Sequence, residues 1–162
     1  MYNDNLMVYD PTIHHRKSIR LKEYDYSQCG YYFVTICTHN RQILFDNKFV
    51  IEMVKKWWYA LPTKFSNVQI DVFIVMSDHI HGIINIMPMG LPLRVSIFNI
   101  IQWYKTMTTN EYMKNVKTLG WVRFNGKLWQ RNYYERIIRN ENALNRIREY
   151  IINNPIKHKE QH

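Results

Sequence analysis

Residues 68–87 read VQIDVFIVMSDHIHGIINIM. Val68 to Met76 is rich in β-branched and aromatic side chains, the composition of a strand. Ser77-Asp78 makes a short turn, and His79 to Met87 returns as another strand. Side chains alternate across a strand, so His79 and His81 share one face while Ile80 and Ile84 share the other. Two imidazoles at i and i+2 in apolar surroundings can meet one cation. They can equally be core or edge histidines satisfied by their neighbours, and no obvious cysteine or carboxylate presents itself as a third ligand. Gly82 leaves room for another backbone or a substrate to come close.

Working outward, Tyr31–Thr38 is a further aromatic and β-branched segment that reads as a strand. Between it and Val68, the spacing of Val50, Val54, Trp57, Trp58 and Leu61 predicts a helix from Lys48 to Leu61, ended by Pro62. Beyond the hairpin, Pro88–Pro92 is a loop. Ser96 then opens a helix with Ile97, Ile100, Ile101 and Tyr104 on one side and Lys105 close by. Leu128 to Ile138 reads as a strand, and Asn140 caps a last helix from Glu141 to about Asn153, which Pro155 terminates. The order strand, helix, strand, strand, helix, strand, helix predicts an α+β fold. It fits a ferredoxin-like antiparallel sheet with flanking helices and one further C-terminal helix. That plan hosts many activities and decides no function. Residues 1–25, with His14-His15-Arg16-Lys17, Arg20 and Lys22, read as a basic N-terminal arm, and residues 26–162 as a single domain.

Charge narrows the partners. Lys and Arg number 22 against 13 Asp and Glu, a net +9, and aromatics make up 15% of the 162 residues. Basic groups attract phosphates and aromatic rings offer platforms for unpaired bases, which suits single-stranded nucleic acid. A protein that is merely basic is the plainer alternative. No apolar run approaches a membrane span, and the acid- and asparagine-bearing start does not read as a secretory signal. A cytoplasmic protein without membrane contact is the expectation. Cys29 and Cys37 lack C-x-x-C spacing and are expected to be free thiols.

The last helix carries an apolar stripe of Leu144, Ile147 and Ile151. Tyr150 falls at the flank of that stripe, roughly 90° from its centre, where its ring can pack and its hydroxyl reach a site at the helix edge. Asn154 is one turn further on, though with Pro155 following it can already have left the helix. Before this helix, Trp129-Gln130-Arg131-Asn132-Tyr133-Tyr134-Glu135-Arg136, with Arg139 behind, interleaves basic and aromatic residues. That suits phosphate contacts and base stacking, or equally a solvated strand edge guarded by charge.

Taken together, Tyr31–Thr38 with Arg41, then Phe73–Ile86 with its His79-Ile80-His81-Gly82, then Leu128–Pro155 resemble the HUH single-tyrosine transposases of insertion sequences. The resemblance is nearest to the transposase-like proteins associated with repeated extragenic palindromes. It runs in order from about residue 20 to residue 158. It implies metal-dependent cleavage and strand transfer of hairpin-containing single-stranded DNA through a 5′-phosphotyrosine. His79 and His81 would bind Mg²⁺ or Mn²⁺, Tyr150 would be the nucleophile, and Asn154 would stand where the family often adds a polar ligand. Lys105, Arg131, Arg136, Arg139, Arg146 and Arg148 are expected as a group to contact phosphates, with Trp103, Tyr104, Trp129 and Tyr133 as stacking surfaces. Ser77 departs from the proline of many relatives. The family includes dimers, a homodimer being one expectation here, and also monomers. The alternative is a non-catalytic protein of the same fold that grips single-stranded DNA or RNA hairpins.

Overall fold

The computed structural model describes residues 29–89 and 95–159, with side chains up to Pro155. The predicted basic arm lies outside the described residues. Four strands, β1 (Gly30–Cys37), β2 (Val68–Val75), β3 (His79–Ile86) and β4 (Tyr134–Ile138), form one sheet in the order β2-β3-β1-β4. Every neighbouring pair is antiparallel. β3 lies between β1 and β2, and β1 lies between β3 and β4, so both crossovers are split in the ferredoxin-like manner.

Alternation sorts the sheet's two faces. Tyr32, Val34 and Ile36 of β1 with Ile80, Ile84 and Ile86 of β3 join the larger core. Helices α1 (Lys48–Tyr59) and α3 (Ile97–Leu119) cover that face, burying Val54, Trp58, Ile100 and Tyr104. A fully buried aliphatic or aromatic side chain contributes about 1.5–3 kcal/mol, so this layer carries most of the fold's apolar stabilisation. The opposite face gathers Phe33, Ile83 and Ile138 under Leu144, Ile147 and Ile151 of α4 (Glu141–Lys159). His79 and His81 share the parity of Ile83 and so belong to the α4 face.

β2 contains a register shift between Ile70 and Phe73, which moves its core-facing positions from even to odd numbers. Val72 and Ile74 thereby reach the α4 face. At the bulge, Asp71 accepts from Arg148 of α4, at 3.0 Å from Nε and 2.5 Å from Nη2. Burial opposes ionisation of this carboxylate, but the bonds from Arg148 and from the Val72 amide outweigh it and hold its pKa below the usual range. The ion pair and the apolar stripe together set the rotation of the helix that bears Tyr150.

Three element boundaries differ from the sequence expectation. Pro62 does not end one long helix. α1 stops at Tyr59, and Pro62 sits in the first turn of a short α2 (Leu61–Lys64), where its missing N–H costs nothing. The expected strand Leu128–Ile138 survives only as β4. Residues 128–133 touch the sheet through an isolated bridge between Thr38 and Trp129. Two of their carbonyls are claimed from elsewhere, since Lys105 Nζ donates to Gln130 O at 2.8 Å and Arg131 O at 3.2 Å. Finally, α4 continues through Pro155 to Lys159, so Asn154 stays helical. Ser96 and Asn140 do cap as expected, Ser96 Oγ accepting from Asn99 N and Asn140 Oδ1 from Ala143 N. Cys29 and Cys37 are free. Among the described residues no helix is long and apolar enough to cross a membrane.

The close approach at Gly82 turns out to be Trp58, on the face away from the histidines. A Cβ at Gly82 would collide with Trp58 Cζ2, and the indole cannot retreat because it stacks on Phe73 at 4.4 Å and meets Tyr104 at 5.5 Å. Gly82→Ala is therefore expected to destabilise the fold by about 1–3 kcal/mol, the usual range for overpacking. Urea denaturation checks this, and an unchanged midpoint would show that the indole has somewhere to go.

Candidate active site

Pairing β1 with β3 places Thr35 opposite His81 and Cys37 opposite His79. Each imidazole has a partner on Nδ1, His81 from across the strand pair and His79 from the preceding residue. His79 Nδ1 lies 2.6 Å from Asp78 Oδ1, and His81 Nδ1 lies 2.8 Å from Thr35 Oγ1. Where Asp78 accepts the Nδ1 proton of His79, Nε2 keeps its lone pair. The Thr35 hydroxyl can accept from His81 in the same way. Both rings are buried, and the two Nε2 atoms converge to 3.1 Å. Burial first, then the neighbouring His79 and the charge of Arg41, push the His81 pKa down to about 4, so this ring is neutral near pH 7.

Two facing nitrogen lone pairs repel unless a proton or a cation lies between them. Neighbouring ligands of an octahedral ion bound at about 2.1 Å stand about 3.0 Å apart, so the pair's spacing fits two positions of such an ion. Oriented imidazoles with bonded Nδ1 atoms are also the usual pattern behind a metal. Among the described residues no third His, Cys, Asp or Glu joins them in a ligand cluster.

Tyr150 stands beside this pair. Its ring meets His81 edge-on at 5.6 Å between centroids and Phe33 at 6.1 Å, and it is half exposed. α4 and β3 are remote in sequence, and the fold brings the histidines and this tyrosine to one spot. Asn154, one turn beyond Tyr150, is partly buried and makes no hydrogen bond to either imidazole among the described residues. Three residues that sequence reasoning gave no role also belong here. Thr35 and Asp78 orient the rings, and Arg41 holds Asp78 through Nε at 2.8 Å from Oδ2.

The expected phosphate and base contacts separate into groups. Lys105, Arg131 and Tyr133 line an open groove of about 1110 Å³ between α3 and the 123–133 segment, together with Phe98, Arg123 and Lys127. Arg123 and Lys127 were not anticipated, because they fall just before the basic-aromatic stretch. Burial lowers the Lys105 pKa to about 8, and its ammonium lies 5.3 Å from the Tyr133 ring centroid. Arg136, Arg139 and Arg146 are exposed, with Arg136 opposite Phe33 on the α4 face. Arg148 is engaged by Asp71 rather than presented outward. Trp129 is buried and donates from Nε1 to Thr108 Oγ1 at 2.8 Å, so its ring belongs to the core and not to a stacking surface. Tyr104 is likewise fully buried, donating to Val54 O at 3.1 Å, and Trp103 packs between Trp57 and Phe65.

Comparison with known proteins gives the chain a family and a fold. The family described as "Transposase IS200 like" matches residues 25–154. A Haemophilus influenzae protein of uncharacterised function is 40% identical, over 91% of this chain and 92% of its own length. A second Haemophilus influenzae protein, described as a candidate REP-associated tyrosine transposase, is 26% identical over 83% of this chain and 74% of its own. Among solved structures, that of a REP-associated tyrosine transposase bound to a REP hairpin superposes with a TM-score of 0.62 at 21% identity, covering 85% of this chain and 74% of the other.

Proposed function

The chain belongs to the IS200-like transposase family, and from that premise we propose that it cuts and rejoins single-stranded DNA with Tyr150 as its nucleophile. The observation that carries this reading is the convergence of His79 and His81 Nε2, 3.1 Å apart, beside the Tyr150 ring. His79 and His81 would hold a divalent ion, Mg²⁺ or Mn²⁺, with Asn154 of α4 as a further oxygen ligand. When bound, that ion would offset charge building on the phosphate oxygens.

The protein's own groups do the rest. The Tyr150 hydroxyl gives up its proton, and its oxygen forms a bond to phosphorus in line with the departing 3′ oxygen. The P–O3′ bond breaks, the 3′ oxygen takes up a proton, and a 5′-phosphotyrosine remains. One ester replaces another, so a second 3′-hydroxyl can reverse the step and join strands, which hydrolysis by water would forbid. Asp78 and Thr35 keep the imidazoles in the orientation that leaves both Nε2 lone pairs together. Asp71 and Arg148 keep α4 in the rotation that leaves Tyr150 beside them.

The substrate class proposed is hairpin-containing DNA. A structural relative was solved on a REP hairpin, and the basic groove with Tyr133 at its wall suits an unpaired strand. The experiment is a denaturing-gel assay with labelled hairpins from the DNA flanking the gene, in Mn²⁺, followed by peptide mapping. An adduct on Tyr150 is the expected result. Hairpin binding that is lost with rising salt, but with no adduct, would turn the reading to a protein of this fold that grips without cutting.

A further inference from the structure

Arg41 belongs to the sequence segment that resembles the family, yet the reaction above gives it no part. We propose that Arg41 is a catalytic residue whose guanidinium contacts a non-bridging oxygen of the scissile phosphate. This rests on the reading of Tyr150 as nucleophile.

The position follows from the sheet register. Cys37 lies opposite His79 and has the parity of Thr35, so its thiol is on the histidine face. Arg41 Nη1 donates to Cys37 Sγ at 2.7 Å, which puts the guanidinium on that face beside the pair. Nε is bound to Asp78, whose other carboxylate oxygen holds His79. The guanidinium is thus one carboxylate removed from an imidazole of the site.

Its backbone is unusual. The turn His39–Arg41 holds Asn40 at φ 53° and Arg41 at φ 55°, the left-handed region. Asparagine enters that region readily and arginine does not. The turn is held there from both ends. The Thr38 hydroxyl shares its one proton between Gln42 O at 2.8 Å and Asp78 O at 3.0 Å, and the Gln42 side-chain amide exchanges bonds with the Asn125 backbone. This conformation returns the arginine side chain over the end of β1.

What is left over on the guanidinium fits a phosphate. The side chain is 52% exposed. Cys37 takes one N–H, Asp78 faces Nε as an ion pair, and the other guanidinium donors have no partner among the described residues. A guanidinium offers a planar fork that suits phosphate oxygens, and prior anchoring reduces the freedom lost on binding. Of the other cations near the site, Arg148 is spent on Asp71 and Lys105 is turned toward the Gln130 and Arg131 carbonyls. Arg136, exposed opposite Phe33 on the same face, lacks the anchoring that Arg41 has from Asp78 and Cys37.

The test compares Arg41→Met and Arg41→Lys with the unaltered chain. Arg41→Met is expected to slow adduct formation by roughly 100-fold or more, the scale of losing one charged donor at a transition state, with Arg41→Lys in between. Mn²⁺ affinity of the DNA-free protein, measured by calorimetry, should stay within about threefold, because Asp78 still holds His79. Hairpin binding is then measured in the Tyr150→Phe background, on DNA with a normal or a methylphosphonate linkage at the scissile position. Losses from Arg41→Met and from the neutral linkage should fail to add. An unchanged adduct rate, additive binding losses, or Mn²⁺ affinity falling in step with rate would each overturn the proposal. Absence of any adduct from the unaltered protein would instead remove the Tyr150 reading on which it rests.

Discussion

Tyr150→Phe is expected to reduce covalent protein–DNA adduct to background, a loss on the order of 10⁴-fold or more, as when a nucleophile is removed. Hairpin affinity should change by less than about threefold, since the variant deletes one oxygen and leaves the ring. That ring provides the edge-on contacts to His81 and Phe33, and phenylalanine keeps both. The hydroxyl has no hydrogen-bond partner among the described residues, so its loss should leave the fold as stable as before. The competitor to exclude is Tyr134. It pairs opposite Thr35 in the sheet, stands on the same face, is exposed, and lies 6.1 Å from Phe33. Tyr134→Phe should therefore retain the adduct. If adduct persists in Tyr150→Phe and maps to Tyr134, the nucleophile is on β4 and not on α4. If Tyr150→Phe loses hairpin binding as well, the phenol is a binding group.

The histidine pair and the tyrosine helix are legible in the sequence for a definite reason. Strand alternation fixes that His79 and His81 share a face, and helical spacing fixes Tyr150 relative to Leu144, Ile147 and Ile151. Those are local periodicities, and no tertiary information is needed to read them. Their meeting is another matter. It depends on β1 pairing with β3, on the bulge between Ile70 and Phe73, and on Asp71 reaching Arg148, none of which has a local signature. The same gap explains the orienting groups. Thr35 is an ordinary strand threonine until the register sets it against His81. Asp78 reads as a turn residue until its side chain is seen to bridge His79 and Arg41. Trp129 shows the opposite failure. Its basic and aromatic neighbours suggest a nucleic-acid surface, but Thr108 inside the core satisfies its indole N–H, and a buried polar group with a partner is stable there.

His79→Ala should abolish cleavage at any concentration of Mg²⁺ or Mn²⁺ while leaving hairpin binding in place. The physical case is chelation. Two nitrogens 3.1 Å apart bind one ion far better than either alone, and neither Thr35 nor Asp78 is aimed to replace a lost Nε2. Loss of a direct ligand should exceed the roughly 10–100-fold fall in affinity typical of losing an orienting neighbour. Raising the metal concentration therefore should not rescue it, whereas Asp78→Asn, which keeps the ligand and disturbs only its partner, should recover in part. His79 is 7% exposed, so truncation also leaves a void and deprives Asp78 of one contact. Melting curves for His79→Ala and for the larger His79→Gln separate that structural loss from the loss of the ion. If both variants melt near the parent and still cut, the metal does not sit between these histidines. If both bind hairpins and neither cuts, the pair of Nε2 atoms is required for cleavage and not for grip, as a metal site between them demands.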